Sequence, residues 1–473
     1  MNDIDSRNDQ INGMERKGLG MKIKIHFKLS ATQTIMLSFL VAILIGSVLL
    51  ALPISSANGK AVPYLDALFT ATTSICVTGL VTLPTVSTWS LFGQIVILLL
   101  IQCGGLGIIT IMSGILISLQ RKIGIKDRML IQDAFNLNTL SGIVKFIKKV
   151  LIGTFVVEGV GAILYLVVFV PEFGAKGIWI SIFNSISAFC NAGIDIISED
   201  SLCNYVFHPM VNIVTSFLII LGGIGYIVWW DVLRVLKDIR HKKLKTFSNL
   251  TLHSKIALTS TGVLIVVGAV AFFIFEYNNP LTMKDYSLFE KIQASLFQSV
   301  TTRTAGFATI PQQNLTNASA IMALLLMFIG GSPVGTAGGI KTVTIVVLIF
   351  AAFSTIKNKE NVVLFQRTIT KQAVNKAVAV VCVSFIIVFV STLLLSAVTN
   401  ANALDIVYET VSATATVGLT RNLTPILSSW GKVIIIVTMY LGRVGPISLF
   451  IAFNTTKESK NIIKEPVENI SIG

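Results

Sequence analysis

Four short stretches of the chain end in a way that suits no ordinary catalytic chemistry but suits the holding of a partly dehydrated cation. They read TTSICVTGL, SAFCNAGI, VTTRTAGF and SATATVGL, and their glycines are Gly79, Gly193, Gly306 and Gly418. Those glycines stand 114, 113 and 112 residues apart. A period this constant along the chain means four copies of one unit. Glycine admits backbone conformations closed to other residues and lets carbonyls crowd together. Crowded carbonyls can replace part of an ion's hydration shell. The candidate ligands are therefore Val77, Thr78 and Gly79, then Asn191, Ala192 and Gly193, then Thr304, Ala305 and Gly306, and last Thr416, Val417 and Gly418.

Two further features carry chemistry. Gly330, Gly331, Ser332, Pro333, Gly335, Gly338 and Gly339 interrupt an otherwise apolar run, and Lys341 follows directly. Clustered Gly and Pro disfavour helix. The run is either a kinked span packed tightly on a neighbour or an unwound loop at membrane depth that can move. Arg443 lies about ten residues from either end of an apolar run. A charge there is expensive and faces a cavity unless it snorkels. Beside an ion pathway it would act as a barrier to cations. Glu158 reads as a packed carboxylate ahead of a proton relay, and Arg303 as a brace for the third turn. Asp195, Glu199 and Asp200 form an acidic outer loop that either attracts cations or is simply solvated. His26, His208, His241 and His253 show no metal-binding cluster, and the five cysteines form no CxxC pair.

The elements that must position these residues are helices in a bilayer. Only 13% of residues are charged and mean hydropathy is +0.80, against about 25% charged in soluble domains. Eight apolar runs are each long enough to span a core of about 30 Å. They are Thr34–Leu52, Leu91–Ile117, Val150–Val170, Val211–Trp230, Ile256–Phe275, Ala320–Ala352, Ala377–Val398 and Val433–Phe453. Inside each pair lies a shorter semi-polar stretch: Tyr64–Ser74, Ile178–Ala188, Tyr286–Thr301 and Leu404–Thr414. These are too short to cross and are predicted to be re-entrant helices. Ten residues before each glycine stand the bulky Phe69, Phe183, Leu296 and Tyr408, which predicts one register for all four. The negative C-terminal ends of such helices would favour cations.

The fold class is thus all-α integral membrane. It has four units of span, pore helix and span, hence eight spanning and four re-entrant helices in pseudo-fourfold arrangement. The repeats occupy 32–120, 145–240, 253–356 and 372–456, with polar end segments at 1–31 and 457–473. The net charge of +14 does not signal nucleic acid. The basic residues concentrate between repeats, for example Arg121, Lys145, Arg234, Lys255, Lys357 and Lys371. That is the positive-inside pattern. It places both termini and those loops in the cytoplasm, the four turns outward, and the chain in the plasma membrane in contact with lipid.

Together these motifs resemble the Trk/Ktr/HKT superfamily of potassium transporters, most closely the KtrB-type membrane subunit. The resemblance runs from about residue 30 to 455 and includes GGSPVGTAGGIKT and LGRVGP. It implies conduction of K⁺ through a filter with one glycine per loop, with less stringent exclusion of Na⁺, which is also the candidate co-ion. It further implies a gate at 330–339, an arginine barrier at Arg443, a homodimer, and control by a cytosolic nucleotide-binding RCK subunit. No cofactor of this chain's own is expected, and nucleotide enters only through that partner. Two rival classes are weaker. Secondary transporters of small organic solutes usually show two inverted repeats, not four parallel ones. An intramembrane enzyme would need a motif such as HExxH, GxSxG or a P-loop, none of which occurs.

Overall fold

The computed structural model describes residues 30–119, 142–237 and 247–445, with positions 124, 128, 129, 131 and 132. The described residues from Ala31 onward belong to one compact unit. The end segments, much of the first two basic loops, and the eighth expected span beyond Gly445 lie outside the described residues.

One element order recurs four times. The first repeat holds α1 (Ala31–Ala51), α2 (Tyr64–Cys76), α3 (Leu91–Leu106) and α4 (Ile108–Ser118). The second holds α5 (Ile143–Phe173), α6 (Lys176–Cys190), α7 (Pro209–Ile224) and α8 (Tyr226–Lys237). The third holds α9 (Leu252–Glu276), α10 (Leu288–Thr301), α11 (Asn317–Phe328) and α12 (Thr342–Ile356). A two-stranded hairpin, β1 (Val362–Leu364) and β2 (Arg367–Ile369), pairs Val363 with Thr368. It leads to α13 (Lys371–Val398), α14 (Ala403–Ala415) and α15 (Ser429–Val444).

The long first helices α1, α5, α9 and α13 are unbroken and apolar enough to cross a bilayer. The second helices are not the continuous spans that the apolar runs predict. The chain bends by 96° between α3 and α4 and by 98° between α7 and α8. The hinges are Gly107 and Gly225, with φ of 85° and 93°, a region that penalises any Cβ. The apolar run hides these breaks because both halves are equally hydrophobic.

Burial is inverted relative to a water-soluble fold. Leu40, Leu44, Ile45 and Val48 on α1 and Ile152, Phe155, Ile163 and Val167 on α5 are exposed. Hydroxyls of the short helices, among them Thr72, Thr73, Ser74, Ser187, Ser299, Thr301 and Ser412, are buried. Apolar surface of that extent needs lipid or protein to cover it. The buried hydroxyls satisfy themselves on backbone: Thr70, Ser74, Ser181 and Thr414 each donate to the carbonyl four residues back.

Candidate functional site

Each short helix stops just before its glycine. α2, α6 and α14 end three residues ahead of it, and Val77, Asn191 and Thr416 cap them in left-handed geometry, with φ of 55°, 59° and 51°. Thr304 takes the same place in the third turn, with φ of 66°. Non-glycine residues, β-branched ones especially, seldom hold this conformation, and they persist only where surroundings fix them. A recurring hydroxyl supplies part of the fixing. Thr73 Oγ1 accepts from Gly79 N–H at 3.0 Å and Ser412 Oγ from Gly418 N–H at 3.0 Å. Ser187 bonds Ile194 in both directions, and Thr301 donates to Phe307 O at 2.6 Å.

The third short helix departs from the common register. Phe69, Phe183 and Tyr408 are fully buried, but Leu296 is exposed and Phe297 is buried instead. The helix α10 also ends earlier, at Thr301. The turn TRTAG therefore uses two residues more, five against three, to reach a glycine of positive φ. The expected match at Leu296 is corrected to Phe297.

The four turns meet. A Cβ built on Gly79 would lie 2.6 Å from Ala192 O, one on Gly193 2.7 Å from Ala305 O, and one on Gly306 2.5 Å from Val417 O. One on Gly418 would strike Thr78 O. Each glycine thus abuts the carbonyl just before the next glycine, and the order closes from the fourth repeat to the first. All four glycines also line one cavity of about 280 Å³, together with Asp195, Glu199 and Asp200. Burial pushes the Asp195 carboxyl up to about 6, against hydrogen bonds from the Ser201 hydroxyl and from Ile197 N–H that hold it down. The C-terminal ends of the short helices, the crowded carbonyls and these acids give the cavity a negative character.

The segment 330–339 is an unwound loop that packs beneath the turns. Its backbone lies on the hinge of the second repeat: Ser332 N–H donates to Gly223 O at 2.8 Å, Thr336 N–H to Gly222 O at 3.0 Å, and Tyr226 N–H to Val334 O at 3.0 Å. Thr336 Oγ1 donates to Phe189 O at 3.0 Å, and Gly338 N–H to Thr304 Oγ1 at 3.1 Å. A Cβ on Gly338 would strike Thr416 Oγ1. Arg303 does not brace its own turn but reaches down to Gly330 O at 3.3 Å.

Arg443 meets the loop from the fourth repeat. Its Nη1 donates to Thr336 O at 2.9 Å and its Nη2 to Gly104 O of the first repeat. Lys341 Nζ donates to Ala337 O at 2.6 Å. Among the described residues neither cation has a carboxylate partner. Backbone carbonyls compensate both. Glu158 instead accepts from Gln102 Nε2 at 3.1 Å behind the second turn, as a packed carboxylate would. A sequence signal for the hinges lies in short glycine strings. The strings GGLG, GGIG and GRVG end at Gly107, Gly225 and Gly445 in three of the four repeats.

Comparison with known proteins agrees with this architecture. Residues 20–465 match the TrkH family, described as a cation transport protein. The chain is 41% identical over 428 residues to Ktr system potassium uptake protein B of Bacillus subtilis (strain 168), covering 90% of this chain and 94% of that one. It is 38% identical over 459 residues to the potassium/sodium uptake protein NtpJ of Enterococcus hirae, covering 96% and 99%. The solved potassium transporter TrkH of Vibrio parahaemolyticus has the same fold, with a TM-score of 0.72 at 17% identity over 91% of this chain and 86% of that one. A multi-pass chain with four recurring units, converging glycine turns and a full-length family match belongs to the TrkH family of cation transport proteins.

Proposed function

We propose that this chain is the potassium-translocating membrane subunit of a K⁺ uptake system. The observation that carries the reading is the closed order of Gly79, Gly193, Gly306 and Gly418 around one cavity. Dehydrated K⁺ would be held by the backbone carbonyls of residues 77–79, 191–193, 304–306 and 416–418, arranged about a pseudo-fourfold axis. The names of the two most similar relatives quoted above support potassium as cargo and keep sodium as a second cation to test. Beneath the filter, the loop 330–339 closes the path, and Arg443 and Lys341 add a positive barrier. Opening then requires the loop to leave the hinge at Gly222–Gly225 and carry those carbonyls away.

The same reading places the chain in the plasma membrane with both termini in the cytoplasm. It has the chain act as a homodimer under a cytosolic nucleotide-binding RCK subunit, with the basic loops as the docking face. The test is K⁺ uptake in a strain lacking its own K⁺ transporters, with and without Na⁺ and with and without such a partner. Restored growth at low K⁺ is expected. No K⁺ flux from correctly inserted protein, with or without the partner, would overturn the reading.

A further inference from the structure

The outer ends of the short helices are joined in a ring, and the joints follow one rule. A side chain in the first turns of each short helix, or one that it holds, ties to the start of the second helix of the preceding repeat or the loop leading into it. Trp179 on α6 donates to Gln94 Oε1 on α3 at 2.8 Å. Gln293 on α10 donates to Val206 O, ahead of α7, at 2.9 Å. Arg421, held by Asp405 of α14 at 2.7 Å, donates to Gln312 O and Gln313 O, ahead of α11, at 3.1 and 3.2 Å. Asp66 on α2 accepts from Lys432 Nζ on α15 at 2.5 Å.

Three of these joints connect repeats that follow each other along the chain. The fourth connects the last repeat to the first, where no chain connection assists. Gln94 and Lys432 hold matching places, in Ser90–Gln94 (SLFGQ) and Ser428–Lys432 (SSWGK). In both, the serine caps the helix by accepting from the glycine N–H, at 3.3 and 3.2 Å. The same position is thus a neutral amide at a joint backed by the chain and a cation at the seam. Among the described residues this is the ion pair that joins two repeats; the others, Arg234–Asp231 and Arg421–Asp405, lie within one. Its side chains are 17% and 11% exposed, so the attraction is less screened than at a free surface.

We propose that Asp66 and Lys432 are positioning residues whose ion pair clasps the seam and thereby sets the width of the glycine ring, and with it the discrimination between cations. The clasp lies in the first turn of α2, whose far end delivers Val77 and Thr78, and the seam is where Gly418 abuts Thr78 O. Loosening it would move one wall of the ring against the other three. This inference rests on the potassium reading above.

The test compares the full-length protein with D66N, K432M and the double variant. K⁺ over Na⁺ discrimination in uptake is expected to fall about threefold to tenfold in each single variant, in the lower part of what pairwise couplings give. The double variant is expected to be no worse than the poorer single one. Amide exchange at residues 77–80 and 417–420, read on purified protein, should quicken in the same variants. A thermal midpoint that falls while discrimination and local exchange stay put would make the pair merely structural and overturn the proposal, as would additive losses in the double variant. If D66N or K432M does not assemble, K432Q restores the amide found at Gln94, keeps a hydrogen bond, and should show the intermediate exchange rate; wild-type exchange in it overturns the clasp. Absence of K⁺ flux from the wild type would instead sink the potassium reading, and the exchange data would still judge the clasp.

Discussion

Among the described residues, two repeats break their second helix at a single glycine, and the third repeat breaks it with the loop at 330–339. In the first, second and fourth repeats, a glycine three residues ahead of a positive-φ glycine lets the helix press on a carbonyl in the last turns of its short helix. Gly104 faces Ile75 O, Gly222 faces Phe189 O and Gly442 faces Thr414 O. The chain then turns at Gly107 and Gly225, with φ of 85° and 93°, and α15 ends at Gly445, with φ of 88°. In the third repeat Gly330 faces Gly338 O of its own loop, and the helix resumes only at Thr342. The same place in the repeat is thus a fixed elbow in the first and second repeats and a detour in the third. The detour fills the space below the turns, touching the second, third and fourth repeats and, through Arg443, the first. The difference teaches that the supports behind the turns recur from repeat to repeat, while the loop packed below them is the work of one repeat.

The comparison can be broken at either end. The largest effect is expected in the ring itself. Gly418→Ser would drive a side chain into Thr78 O at a φ of 97°, and K⁺ uptake or its preference over Na⁺ should fall by about fivefold or more, since such strain is worth on the order of 1–3 kcal/mol. Wild-type uptake kinetics for Gly79, Gly193, Gly306 and Gly418 variants alike would sink the filter assignment.

Next comes the detour. Shortening 331–338 to a single glycine would make the third repeat resemble the first and second. K⁺ flux in assembled protein should then rise severalfold and depend less on a regulatory partner. Flux abolished without loss of assembly would make the loop a strut and put the gate elsewhere.

A smaller gain is expected from Arg443→Gln, which removes a fixed charge that costs about 2.5–3.5 kcal/mol at mid-membrane on insertion scales. Arg443→Lys should stay nearer the wild type, although it cannot bridge Thr336 O and Gly104 O as the fork of guanidinium donors does. Equal flux from the two, with normal assembly, rejects the electrostatic barrier.

The smallest effect sharpens the contrast between elbows. Gly107→Ala meets only Thr110 Oγ1 at 3.7 Å and carries backbone strain alone, about 1–2 kcal/mol. Gly225→Ala meets that strain and Pro333 O besides, so its thermal midpoint should drop further. Equal midpoints would mean that the loop does not rest on the second elbow.

Much of this was legible in the sequence because it repeats. The spacing of the four glycines located the turns, and the short helices fall within three residues of the stretches that spacing picked out. The cluster at 330–339 announced itself by composition. The hinges at Gly107 and Gly225 did not, because hydrophobicity counts residues and a bend changes none of them. The register of α10 was misread at Leu296 because Leu296 and Phe297 are both bulky and apolar, and only burial tells them apart. The partners of Arg443 could not be read at all: they are backbone carbonyls, which every residue carries. Nor could the joints between repeats, since Gln94 and Lys432 look like ordinary polar residues near a helix start.

The four turns belong to one polypeptide, and this has a genetic consequence. In a pore assembled from four identical chains, one codon change alters every wall at once. Here a codon alters a single quarter of the ring, and the same station already holds three residue types, as Val77, Asn191, Thr304 and Thr416. Mutation can therefore tune the ring in quarter steps, and each step leaves three supports in place while it is tried.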